Sequence, residues 1–67
     1  MLRINGEEKD FAGELLLDVL LKEGYEPTRV VVERNLEIVP KDQLQYVVLQ
    51  DKDVIEVIRF VVGGYNK

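Results

Sequence analysis

Apolar and polar positions alternate where the chain begins, with Leu2 and Ile4 separated by Arg3, and the alternation breaks at Asn5-Gly6. Asn-Gly tolerates the positive φ angles of a tight β-turn, so residues 2–4 and a second run over residues 9–11 predict a hairpin. The period then changes. Residues 14–23, ELLLDVLLKE, are rich in leucine and free of proline, and Gly24 follows them as a left-handed cap. This predicts a helix of about three turns. Leu16, Val19 and Leu20 form its central stripe, and Leu15, Leu17 and Leu21 widen it.

Pro27 interrupts, and residues 29–34 (RVVVER) predict a third strand of buried character. Asn35 is a turn candidate, Ile38 and Val39 resume an extended run, and Pro40 can start a short helical turn through Lys41, Asp42 and Gln43. Residues 47–49 read as a further short strand, Asp51-Lys52-Asp53 as a charged turn, and residues 54–62 as the last strand. One helix among several strands in this order predicts an α+β roll, a mixed sheet wrapped on one face of the helix. Alternation along the last strand puts Ile55, Val57 and Val61 on one face, with Arg59 near the exit. Ile58, Phe60 and Val62 share the other face with Glu56.

Composition narrows the function. The chain has 67 residues, enough for one domain, and 46% of them are hydrophobic. It contains no cysteine, so stability comes from the apolar core without disulfides or thiolate metal sites. No apolar run is long enough to span a bilayer and no secretory pattern is present, so the cytoplasm is the expected compartment. A net charge of −4 repels phosphate backbones, which argues against nucleic acid and suits a basic protein partner.

Few groups are suited to catalysis. There is no histidine, Thr28 carries the only Ser/Thr hydroxyl, and the carboxylates are scattered without a recognisable pair. Gly6, Gly13 and Gly24 fit neither dinucleotide nor P-loop spacing. Asp51 and Asp53 supply too few oxygens for a calcium loop and read as a turn held by side-chain-to-backbone hydrogen bonds, so no metal site is expected. Tyr25 and Tyr46 read as edges of the core. The expectation is a protein that is not an enzyme.

Three stretches carry a resemblance: VVVERNLEIVPKDQ over residues 30–43, DKDVIEVIRFV over residues 51–61, and Gly63-Gly64. Together they resemble the ThiS-type sulfur carriers of the ubiquitin-like ThiS/MoaD family. The resemblance implies a β-grasp fold over residues 1–62 and a flexible diglycine tail with an extension over residues 63–67. It also implies a ThiF-like adenylating enzyme, which uses ATP and magnesium to adenylate a C-terminal glycine carboxylate. Sulfur then replaces the adenylate, and a ThiG-like thiazole synthase takes up the thiocarboxylate. The carrier binds no cofactor of its own and serves as a reagent.

On this resemblance Gly64 is the site of adenylation and thiocarboxylation, and Gly63 belongs to the tail that must enter a narrow nucleotide site. Residues without Cβ atoms suit such a passage. Ile55, Val57 and Val61 fall to the helix side, leaving Ile58, Phe60 and Val62 as an apolar patch that docks the adenylating enzyme and the synthase. The other reading of Phe60 is a shield over a neighbour such as Val31, and Arg59, which could pair with an acidic residue of a partner, is read as facing solvent. The departure is Tyr65, Asn66 and Lys67, which leave Gly64 with an amide where the chemistry needs a free carboxylate. Trimming by a peptidase is the preferred explanation. A MoaD-like molybdopterin carrier, a ubiquitin-like protein modifier and a β-grasp binding module without terminal chemistry are the alternatives.

Overall fold

In the computed structural model, which describes residues 1–60, β1 (Leu2–Ile4) and β2 (Glu7–Lys9) form the expected hairpin. Its turn has φ +51° at Asn5 and +84° at Gly6. Both angles are positive, as a two-residue type I′ loop requires. Because Ile4 pairs directly with Glu7, β2 lies earlier than the run expected at residues 9–11. Phe11 instead packs against the core from the following loop.

The helix α1 (Leu16–Lys22) is shorter than the expected residues 14–23. Its upstream residues are engaged elsewhere. The Gly13 N–H donates to Leu49 O, the Leu49 N–H to Glu14 O, and the Leu16 N–H to Val47 O, each at 2.8 Å. Residues 47–49 therefore do not form a full strand. They make a single antiparallel bridge, between Leu15 and Val48, that holds the start of the helix. At the other end, the Gly24 N–H donates to Leu21 O and the Tyr25 N–H to Leu20 O, with φ +86° at Gly24. This is a Schellman cap, and it satisfies carbonyls that the helix end would leave open.

A 3₁₀ turn (Pro27–Arg29) leads into β3 (Val30–Arg34), which pairs with β4 (Glu37–Val39). A second 3₁₀ segment (Lys41–Tyr46) follows, and β5 (Val54–Arg59) closes the fold. The sheet order is β2-β1-β5-β3-β4, with β1 parallel to β5 and the other neighbours antiparallel. The expected roll is thus a mixed five-stranded sheet with one helix across it.

One cluster holds the layers together. Leu16, Val19 and Leu20 of α1, the predicted stripe, are buried against Leu2, Ile4, Val30, Val32, Ile55 and Val57 of the sheet. Leu44 and Leu49 complete the cluster from irregular segments that carry no periodic signal. Leu21, at the edge of the leucine stripe, is exposed. Each fully buried leucine contributes roughly 1.5–3 kcal/mol.

Two residues with left-handed backbones predict opposite responses to substitution. A Cβ built on Gly24 meets no heavy atom within 4 Å, so Gly24→Ala should cost about 1–2 kcal/mol through φ strain alone. Leu36 occupies the same region at φ +73°, in the two-residue β3–β4 turn, with 88% of its surface exposed. Leu36→Gly should stabilise the fold by about 0.5–1 kcal/mol, because it relieves strain without uncovering a core. Urea denaturation of both variants beside the parent checks the two signs.

Candidate functional site

β5 lies between β1 and β3, and its side chains divide as alternation predicts. Ile55 and Val57 are buried beneath α1, whereas Val54, Glu56 and Ile58 face outward. Ile58 is 47% exposed, and Phe60, just past the strand, 42%. Val31 stands opposite Ile58 in the register, so Ile58, rather than Phe60, is its cross-strand neighbour. Exposed Ile38 of β4 extends the outer apolar surface, and Glu33 and Glu56 stand opposite each other within it. Val61, Val62, Gly63, Gly64 and residues 65–67, which carry the rest of the predicted patch and tail, lie outside the described residues.

Two side chains secure β5. Asn5, predicted only as a turn residue, reaches across to the strand. Its Oδ1 accepts the Val57 N–H at 2.8 Å, and its Nδ2 donates to Val57 O at 3.3 Å and to Tyr25 Oη at 3.1 Å. The Asn5 backbone N–H also donates to Ile55 O at 2.9 Å. The amide therefore extends the β1–β5 ladder by one residue after β1 has turned away.

Asp53 secures the start of the strand. Its carboxylate, 6% exposed, accepts hydrogen bonds from the Gln50 N–H at 2.8 Å, Arg34 Nε at 2.9 Å and Asn35 Nδ2 at 3.0 Å. Asn35 in turn accepts the Val54 N–H and donates its own backbone N–H to Val54 O. The turn before β5 is thereby tied to the β3–β4 turn. Burial pushes the Asp53 carboxyl up, but the donors from Gln50, Asn35 and Arg34 outweigh it and hold the group below the usual carboxylate range. The turn expected at residues 51–53 is present, and its second aspartate is a buried junction as well.

The exit of β5 has its own chemistry. Arg59 lies over the ring of Tyr25, 4.8 Å from its centroid, instead of projecting only into solvent. Lys41 donates to Val30 O and lies 5.9 Å from the ring centroid of Phe60. Tyr25 packs at the core edge as expected. Tyr46 does not: it is 69% exposed, because Leu44 takes the inward position of its 3₁₀ segment. Beside the strand end lies an open cleft of about 750 Å³, lined by Gly24, Glu26, Thr28, Arg29, Val30, Arg59 and Phe60.

The family model of the ThiS family matches residues 2–64 of this chain. The chain belongs to the ThiS family. It is 39% identical to the sulfur carrier protein ThiS of Bacillus subtilis (strain 168), over 96% of this chain and 100% of that protein. It is 45% identical to a thiazole synthase of Paramagnetospirillum magneticum over 98% of this chain, and 41% identical to one of Magnetococcus marinus over 97%. The chain spans only 21% and 20% of those two relatives, about a fifth of their length. The crystal structure of the thiamine biosynthesis protein ThiS from Geobacter metallireducens superimposes with a TM-score of 0.72 at 27% identity, covering 94% of this chain and 97% of that one. With the observed sheet order, this establishes the β-grasp fold that ThiS resemblance implied.

Asp53 should make this chain's fold sensitive to acid. A carboxyl whose folded pKa is depressed adds stability above its unfolded pKa, near 4, and loses it as pH falls through the folded value. Asp53→Asn should cost about 1–3 kcal/mol at pH 7. The variant should also lose less stability than the parent as pH falls below about 4. Denaturation midpoints measured at several pH values test both expectations.

Proposed function

We propose that this protein is a sulfur carrier for thiazole formation in thiamine biosynthesis. The observation that carries the proposal is the family match, which runs through the central strand to Gly63 and Gly64 and stops there. The identity to ThiS of B. subtilis over that protein's full length supports the same reading. Residues 1–62 act as the carrier domain, and Gly63 and Gly64 form the tail that enters a partner.

The chemistry proceeds at Gly64 once residues 65–67 have been removed. A Gly64 carboxylate oxygen attacks the α-phosphate of ATP in a ThiF-like adenylating enzyme, with magnesium bound to the nucleotide, and pyrophosphate leaves. Hydrosulfide then attacks the acyl carbon, AMP leaves, and loss of a proton gives the thiocarboxylate. Thiazole synthase consumes it. The carrier's own contribution is a rigid body, an unbranched tail, and a docking face of Ile58, Phe60 and Val62. The lack of histidine and cysteine fits a reagent that needs no base or nucleophile of its own.

The likeness to part of two thiazole synthases supports the synthase as acceptor. It also favours a second arrangement, in which such a carrier domain works within a longer synthase chain. A MoaD-like carrier or a protein modifier would share the activation step and differ in the acceptor.

Intact mass after coexpression with the ThiF-like enzyme of the same organism, ATP and a sulfur source tests the proposal. The expected product ends at Gly64 and is heavier by the exchange of one oxygen for sulfur. A form truncated after Gly64 that remains unmodified would overturn it. Isopeptide adducts on other proteins would instead establish the modifier.

A further inference from the structure

We infer that the cleft at the end of β5 receives a carboxylate side chain of the adenylating enzyme, gripped between Arg29 and Arg59. The partner's identity rests on the carrier reading, whereas the chemistry of the cleft rests on the observations below.

In a chain of net charge −4, several cations are already engaged: Lys9 pairs with Glu23 at 3.2 Å, Lys22 with Glu14 at 2.6 Å, and Arg34 with Asp53 at 2.9 Å. Among the described residues, neither Arg29 nor Arg59 has a carboxylate within 4.0 Å, although Glu26 lines the same cleft. Val30 stands opposite Arg59 in the β3–β5 register, which brings Arg29 to the same end of the sheet. Both arginines line the one cleft, so an incoming anion is attracted by two positive charges there.

Arg59 is also oriented in advance. Its guanidinium rests on Tyr25, whose hydroxyl is held by Asn5, so less side-chain freedom is lost on binding. A guanidinium fork matches a carboxylate in bidentate fashion, and the Thr28 hydroxyl in the lining offers a further donor. Val30 and Phe60 give the cleft an apolar wall, against which the methylenes of a Glu or Asp side chain can pack.

Geometry separates a protein carboxylate from a nucleotide phosphate. Gly64 lies five residues beyond Arg59, and five extended residues reach roughly 17 Å. A tail that enters a nucleotide site fully extended would hold the reacting phosphate up to that distance from the cleft, and the groups beside Arg59 would then belong to the enzyme's entrance. Phe60 makes the cleft continuous with the outer apolar face proposed for docking.

The test is calorimetric titration of the ThiF-like adenylating enzyme with the 67-residue chain, with its form ending at Gly64, and with Arg29→Gln, Arg59→Gln, double and Arg59→Lys variants. Each is measured at two salt concentrations, with and without ATP, after thermal unfolding has shown the variants folded. Each Gln variant should bind about tenfold more weakly, and the double variant should lose most of the salt dependence. Arg59→Lys should fall between parent and Arg59→Gln. Unchanged affinity and salt dependence in the double variant would overturn the cleft assignment while leaving the carrier reading intact. Weakening seen only with ATP would assign the cleft to phosphate and overturn it too. Absence of binding by both unsubstituted forms would overturn the carrier reading and the cleft's partner together.

Discussion

Insertion of β5 between β1 and β3 is the constraint on which the rest of the structure depends. The sheet is continuous only when residues 54–59 lie parallel to residues 2–4, from the other end of the described chain. Until then Ile55 and Val57 cannot cover the apolar face of α1, and the hairpins β1–β2 and β3–β4 have no common partner. Such pairing between distant residues carries a large loop-closure cost before burial compensates it. Two polar side chains strengthen the insertion at its ends. Asp53 ties the entry of β5 to the β3–β4 turn, and Asn5 bonds both backbone groups of Val57 where β1 ends.

This arrangement also accounts for the position of the proposed chemistry. β5 is bonded to β1 and Asn5 on one side as far as Val57 and to β3 on the other as far as Arg59, so the strand that precedes the proposed tail is held by the sheet up to its last residue. A carrier of the proposed kind would gain from such a base, because a rigid base limits the volume in which a tail must search for a partner's site. The outer side of the same strand carries apolar and acidic groups, while its end carries Arg59 over Tyr25. An acidic body with a basic point at the tail exit can orient an approaching partner before contact.

Local signals in the sequence account for much of the fold. Asn5-Gly6 meets the φ requirement of its turn, Gly24 ends the helix, and the spacing of Leu16, Val19 and Leu20 selects the buried helix face. Other features were hidden because their causes lie far away along the chain. Residues 14 and 15 read as helix, yet Glu14 O accepts the Leu49 N–H, the Glu14 N–H turns back to Phe11 O, and Leu15, bridged to Val48, is only the N-cap. Leu44 and Leu49 belong to the core without any period to mark them, and Tyr46 is turned outward by the segment that turns Leu44 inward. The outward placement of Ile58 and Phe60 was readable from alternation, but the cleft beside Arg59 was not.

By itself the sequence determined the order of the main helix and of four of the strands around it, the inward face of the helix and of β5, and the family, because turn chemistry and side-chain periodicity act over a few residues. Only the tertiary structure decided that Asn5 would bond Val57, that Asp53 would be buried among three donors, and that Arg29 and Arg59 would share one cleft. Those arrangements depend on strand register and sheet order, which bring together residues up to 52 positions apart. No local preference of the chain encodes such distances.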